Sequence, residues 1–191
     1  MLITAKGILR EDLGDPPIVH RWSPRRCALA AGGPLGVCWH ETEAHGCDAM
    51  AARLMKLNPN DQVSWHLLIG RDGVAWQSVP MIRGAWHIRK KAPNTLPGKI
   101  QPARLYLLGV EMEHIAGENY TAEQVDTLAR VVAAFRSWRP KWTRQALEWG
   151  HFQFDPGRRS DPSPEFRSLL AGILDRSFPT VSMPSHAPAR T

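Results

Sequence analysis

The stretch VSWHLLIGRDGVAWQSVP, residues 63–80, restricts the fold more than any other part of the chain. Asp72-Gly73 is the dipeptide that best tolerates the positive φ angles of a tight turn, and the runs on either side are β-rich, so an antiparallel hairpin is expected here. LGVCWHE, residues 35–41, is a short apolar run ending in polar residues, the pattern of a buried strand that delivers His40 at its C-terminal end. Between them, residues 45–57 place Met50, Leu54 and Leu57 at helical spacing and stop at Asn58-Pro59. YLLGVEMEH, residues 106–114, predicts a strand with Val110 and Met112 facing one way and Glu111 and Glu113 the other. Thr121 and Gln124 then form a capping box for a helix running to about Trp138, with Val125, Leu128, Ala129, Val132 and Phe135 on its inner face. A last amphipathic helix is expected over residues 166–178. The order strand, helix, hairpin, strand, helix indicates an α/β fold in a single domain, a mixed β-sheet flanked by α-helices.

With 191 residues, 43% of them hydrophobic, the chain can bury one substantial core. Residues 1–33, with Pro16, Pro17, Pro24 and Gly32-Gly33, read as an irregular lead-in with one short strand at most. The folded domain is expected over 34–178, followed by a disordered tail at 179–191. No apolar run reaches the roughly 18 residues of a membrane span, and MLITAKGILREDLGD at the N-terminus puts acids where a signal peptide needs an apolar core. A cytoplasmic chain, as synthesised, is the expectation. Cys27, Cys38 and Cys47 are odd in number and lack zinc-knuckle spacing, so they read as reduced thiols. The net charge of +6 is regional: residues 83–104 carry six cations and no acid. That segment is either a solvated loop or a contact for an anionic polymer, nucleic acid or bacterial envelope.

GHFQFDPGRRSDPSPEF, residues 150–166, sets His151 and Asp161 ten apart in a proline-rich segment, with Arg159 two positions before the acid. Zinc takes imidazole nitrogen and carboxylate oxygen, and a catalytic zinc keeps three protein ligands and one open position. His40, His151 and Asp161 are of the right types to supply three. Spacing alone leaves the structural reading open, since a lone histidine is more often a hydrogen-bonding residue than a ligand.

The strand ending in His40, the hairpin SWHLLIGRDGVAWQSVP, the GAWH that follows, the strand LGVEME, the capped helix and GHFQFDPGRRSDPSPEF together resemble the zinc-dependent N-acetylmuramoyl-L-alanine amidases. These share a fold with the peptidoglycan recognition proteins and include many phage endolysins, and the resemblance covers residues 35–170. It implies that His40, His151 and Asp161 hold zinc, and that Glu111 and Arg159 lie beside the metal and take part in catalysis. Glu111 is the candidate proton acceptor, with Glu113 on the same strand face as the competing choice. Arginine stands where the family often has lysine; a guanidinium stays protonated, so Arg159 is expected to stabilise an oxyanion rather than donate a proton. Trp65 stands where some relatives have tyrosine and is expected to wall the substrate groove. His87, in GAWH, is expected to line that groove or contact the substrate, and His66 to be a buried structural residue.

The function so implied is zinc-dependent hydrolysis of the amide between N-acetylmuramic acid and L-alanine, in a lytic endolysin-like role or in wall recycling. A lytic chain without a signal would reach the wall after a separate protein permeabilises the membrane. The alternative is a non-catalytic peptidoglycan-binding module of the same fold. Peptidoglycan or a muropeptide is the expected partner and the monomer the expected state. Nucleic-acid binding is not expected, because it accounts for the basic segment and for none of the spaced His and Asp residues.

Overall fold

The computed structural model describes residues 1–55 and 63–178. In chain order its strands are β1 (Leu2–Ile3), β2 (Leu9–Arg10), β3 (Ile18–His20), β4 (Arg26–Cys27), β5 (Gly36–Glu41), β6 (Leu67–Ile69), β7 (Ala75–Gln77), β8 (Gly84–Ala85), β9 (Leu107–Met112) and β10 (Trp149–Gly150). The α-helices are α1 (Cys47–Met55), α2 (Ala122–Trp138), α3 (His151–Phe154) and α4 (Pro164–Ser177). Leu57, the Asn58-Pro59 stop and the tail at 179–191 fall outside the described residues.

The Asp72-Gly73 turn forms as the sequence requires, with Gly73 at φ +79° joining β6 to β7 in antiparallel register. These two strands belong to a six-stranded sheet of order β10-β5-β9-β6-β7-β3, in which every other neighbouring pair is parallel. The mixed sheet flanked by helices agrees with the expected α/β class. The lead-in is a correction: residues 1–33 carry four short strands, and β3 pairs with β7 through Ile18 and Ala75 as an edge of the main sheet. Strands of two or three residues are too short to display alternation, and β3 takes its place at the open edge of β7 rather than by local pattern.

Alternation along β5 and β9 divides the sheet into two faces. Trp39 and Val110 face a core closed by Leu128, Val132 and Phe135 of α2 and by Phe166, Leu170 and Leu174 of α4. Cys38 and Leu107 face the opposite way, against Ile88, Leu96, Tyr106 and Phe154. The capping box of α2 is present, with the Thr121 hydroxyl and the Gln124 side chain each accepting the other's backbone N–H at 3.1 Å, an arrangement worth about 1 kcal/mol. Thr121 Oγ1 also donates to the Arg71 carbonyl at 2.6 Å, which ties the helix start to the hairpin turn. Val125 and Ala129 are only half-buried; Gln124, Thr127, Val131 and Ala134 complete the inner face instead. Among the described residues no helix is long and apolar enough to cross a membrane.

Candidate active site

The parallel pairing of β5 with β9 sets His40 opposite Glu111 at the C-terminal edge of the sheet, where open α/β sheets form their crevices. β10 pairs with the other side of β5, Gly150 opposite Trp39, so the next residue, His151, emerges beside His40. The chain then makes one turn of helix and returns: Phe152 N–H donates to the Asp161 carbonyl at 3.0 Å, closing the loop and setting the Asp161 side chain against His151. This backbone bond is what makes a ten-residue separation bring two ligand-type side chains together.

His40 Nδ1 lies 2.9 Å from His151 Nδ1 and 3.3 Å from Asp161 Oδ2, and His151 Nδ1 lies 3.2 Å from the same oxygen. All three residues are buried, and they form a group that can hold a metal ion. Their spacing is that of ligands around one small cation with bonds of about 2.0–2.2 Å. His151 Nε2 and Asp161 Oδ1 are buried with no hydrogen-bond partner among the described residues. Burial pushes the Asp161 carboxyl up, but its close contacts with the His151 and His40 rings outweigh it and hold the group well below the usual carboxylate range. Burial lowers His40 to about 4, so at neutral pH its ring is uncharged and has a lone pair to offer.

Glu111, Arg159, Trp65 and His87 line the same pocket of about 500 Å³ as the three clustered residues. Burial and then the charge of Asp161 push the Glu111 carboxyl up to about 8, against the opposing pull of Arg159. Arg159 is exposed at the rim. Trp65 is only 6% exposed and belongs to a cluster with Cys47, Ala51, Leu68 and Trp76, so it serves as core and as pocket wall at once. His87 lines the pocket, and its ring nitrogens have partners within the protein: Nδ1 lies 3.0 Å from His40 Nε2 and Nε2 3.1 Å from the Leu107 carbonyl. His66 is wholly buried, donating from Nε2 to the Arg83 carbonyl and accepting Gly109 N–H at Nδ1, as a structural residue would.

Glu113, the competing carboxylate, is a clamp. It accepts from Gly46 N–H at 2.7 Å, the Cys47 thiol at 3.0 Å and Arg71 N–H at 2.9 Å, binding the start of α1 and the hairpin turn to the end of β9. Burial alone would raise this carboxyl, yet these hydrogen bonds hold it below its ordinary value. Glu113→Gln should therefore destabilise the fold by about 1–3 kcal/mol at pH 7 in urea denaturation. A depressed carboxyl stabilises above the unfolded pKa of about 4.3, and that contribution is lost as pH falls through the folded pKa. The gap between parent and variant should accordingly close in acid; a gap that persists there would remove the carboxylate from the explanation.

One residue had no signal in the sequence. Glu41, next to His40, accepts from the Ser163 hydroxyl at 3.0 Å, from Ser163 N–H and from the Tyr120 hydroxyl, with His114 Nδ1 at 2.9 Å. It anchors the backbone two residues beyond Asp161 to the end of β5. The basic segment also departs from a free cationic surface. Arg89 pairs at 2.6 Å with the fully buried Asp155, and Arg104 is buried with its guanidinium 4.7 Å from the Trp86 ring centre. Lys90 and Lys91 remain exposed. Neutralising Arg89 with them would remove a structural tie as well as charge.

A family model described as N-acetylmuramoyl-L-alanine amidase matches residues 31–164. In sequence the chain is 32% identical over 105 residues to the 1,6-anhydro-N-acetylmuramyl-L-alanine amidase AmpD of Escherichia coli K12, covering 55% of this chain and 54% of that one. The AmpD of Salmonella typhimurium LT2 is 31% identical over 115 residues, 58% of each. The chain thus spans a little over half the length of the curated relatives it matches. Among solved structures, that of a selenomethionine AmpD derivative superposes with a TM-score of 0.71 at 25% identity, over 91% of this chain and 99% of the other. A mutant endolysin from Bacillus subtilis, at 20% identity and a TM-score of 0.55, covers 83% of this chain and 99% of its own and shares the fold.

Proposed function

Because the chain belongs to the N-acetylmuramoyl-L-alanine amidase family, we propose that it acts as a zinc-dependent monomeric hydrolase of the amide joining N-acetylmuramic acid to L-alanine in peptidoglycan or its fragments. The observation that carries this reading is the convergence of His40 Nδ1, His151 Nδ1 and Asp161 Oδ2 within 3.3 Å of one another, in a pocket shared with Glu111. Two nitrogens and one carboxylate oxygen suit zinc.

His40, His151 and Asp161 would hold the zinc, which when bound would supply a water of lowered pKa, about 7, and a Lewis acid for the scissile carbonyl. Glu111 accepts the proton of the attacking water and later passes it to the leaving amine of L-alanine. A carboxylate accepts that proton only when ionised, and a dication held by the three neighbouring residues would favour that form against the burial that raises Glu111. The Arg159 guanidinium stabilises negative charge on the carbonyl oxygen. Trp65 walls the groove and limits water around the reacting atoms.

The sequence relatives, being 1,6-anhydro-N-acetylmuramyl-L-alanine amidases, favour a soluble 1,6-anhydro muropeptide over the intact wall. The test is to incubate purified chain with such a muropeptide and, separately, with isolated sacculi, and to read products by mass spectrometry. Free peptide with an L-alanine amino terminus, beside intact sugar, is the expected result. Binding of either substrate without release of peptide would favour the non-catalytic module instead.

A further inference from the structure

We propose that His87 is a positioning residue that fixes His40 in the tautomer able to bind metal, through a relay that starts at the Leu107 carbonyl. The proposal rests on reading His40 as a zinc ligand. A carbonyl oxygen only accepts, so His87 Nε2, 3.1 Å from Leu107 O, must carry its proton. Neutral His87 then has a bare Nδ1, and His40 Nε2, 3.0 Å away, must donate to it. His40 is left with its proton on Nε2 and a free lone pair on Nδ1, the atom that faces His151 and Asp161. The opposite arrangement would set two lone pairs against each other at Leu107 and put a proton on the one His40 atom that meets the other ligands. Burial beside His40 and His66 disfavours a doubly protonated His87.

A second, independent feature shows that the ring has a made place. In β9, between Leu108 and Val110, stands Gly109, where an added Cβ would lie 2.4 Å from His87 Cγ and 2.6 Å from His87 Cβ. No positive φ requires glycine at this position, so the missing side chain is explained by the ring that occupies its space. The same relay accounts for the closeness of Cys38, His40 and His87, a group also able to hold a metal, without a second ion: the His40 and His87 nitrogens already satisfy one another.

The test uses ¹⁵N-labelled metal-free protein at neutral pH, with long-range imidazole spectra reporting which nitrogen of His40 is protonated, and zinc affinity measured by competition with a chromophoric chelator. The parent should show His40 protonated at Nε2. His87→Leu, which removes the acceptor, should yield mixed tautomers and bind zinc about 10–100-fold more weakly, the usual cost of losing an outer-shell partner. His87→Asn places an amide oxygen near the former Nδ1 and should recover most of both properties, a rescue that a purely space-filling role would not give. Gly109→Ala should reproduce the affinity loss by displacing the ring. A parent protonated at His40 Nδ1, or a folded His87→Leu that binds zinc as tightly as the parent, overturns the relay. If His87→Leu does not fold, the parent spectrum still decides. A parent that binds no zinc at all would instead overturn the ligand assignment, a result separable from the tautomer readout.

Discussion

Replacing His151 by alanine is expected to leave the purified protein without stoichiometric zinc, where the parent retains about one ion per chain after dialysis. Three protein atoms must converge for the ion to hold, and His151 Nδ1 lies 2.9 Å from His40 Nδ1 and 3.2 Å from Asp161 Oδ2. Its removal leaves His40 and Asp161 3.3 Å apart with no third donor. The loss should exceed the roughly 10–100-fold that follows from disturbing an outer-shell partner. His40→Ala and Asp161→Ala should behave alike, and elemental analysis of the three variants, each shown to be folded by circular dichroism, checks the set. Full occupancy in His151→Ala would sink the assignment.

What the sequence makes legible is whatever depends on local pattern. The Asp72-Gly73 hairpin, the strand ending in His40, and the capping box of α2 rest on turn chemistry, alternation and short-range hydrogen bonding, and each appears where residue type and spacing place it. The convergence of His40, His151 and Asp161 was legible only through resemblance, because nothing in a ten-residue spacing announces that Phe152 N–H will close on the Asp161 carbonyl. The pairs that fix the site cross separations of 47 residues for His40 with His87 and 122 for Glu41 with Ser163. Such contacts are set by sheet order and register, which local periodicity does not encode. The same limit hid the clamp at Glu113. On sequence it shares a strand face with Glu111; in three dimensions it lies just past the strand end, where backbone N–H groups consume its oxygens. The pairing of Arg89 was hidden for a related reason, since its partner Asp155 is a buried acid in the loop between His151 and Asp161 with no sequence mark of burial.

That difference between two carboxylates on one strand underlies the second large effect. Glu111→Gln should retain zinc and fold while losing turnover by roughly 100-fold or more, the scale of a positioned general base. The amide keeps the size of the side chain and its place opposite His40 but cannot take a proton, so the change separates proton transfer from metal binding. The loss should fall on kcat, with KM little altered, because the missing interaction exists only as the proton moves. Zinc content measured on the same sample distinguishes this from an indirect loss of the ion. Two outcomes tell against it: turnover near that of the parent would move the base elsewhere in the pocket, and loss of zinc together with turnover would make Glu111 part of the metal's support. Glu113→Gln offers the internal contrast, because its three hydrogen bonds face α1 and the hairpin turn, and it should lower stability while leaving the chemistry of folded molecules in place.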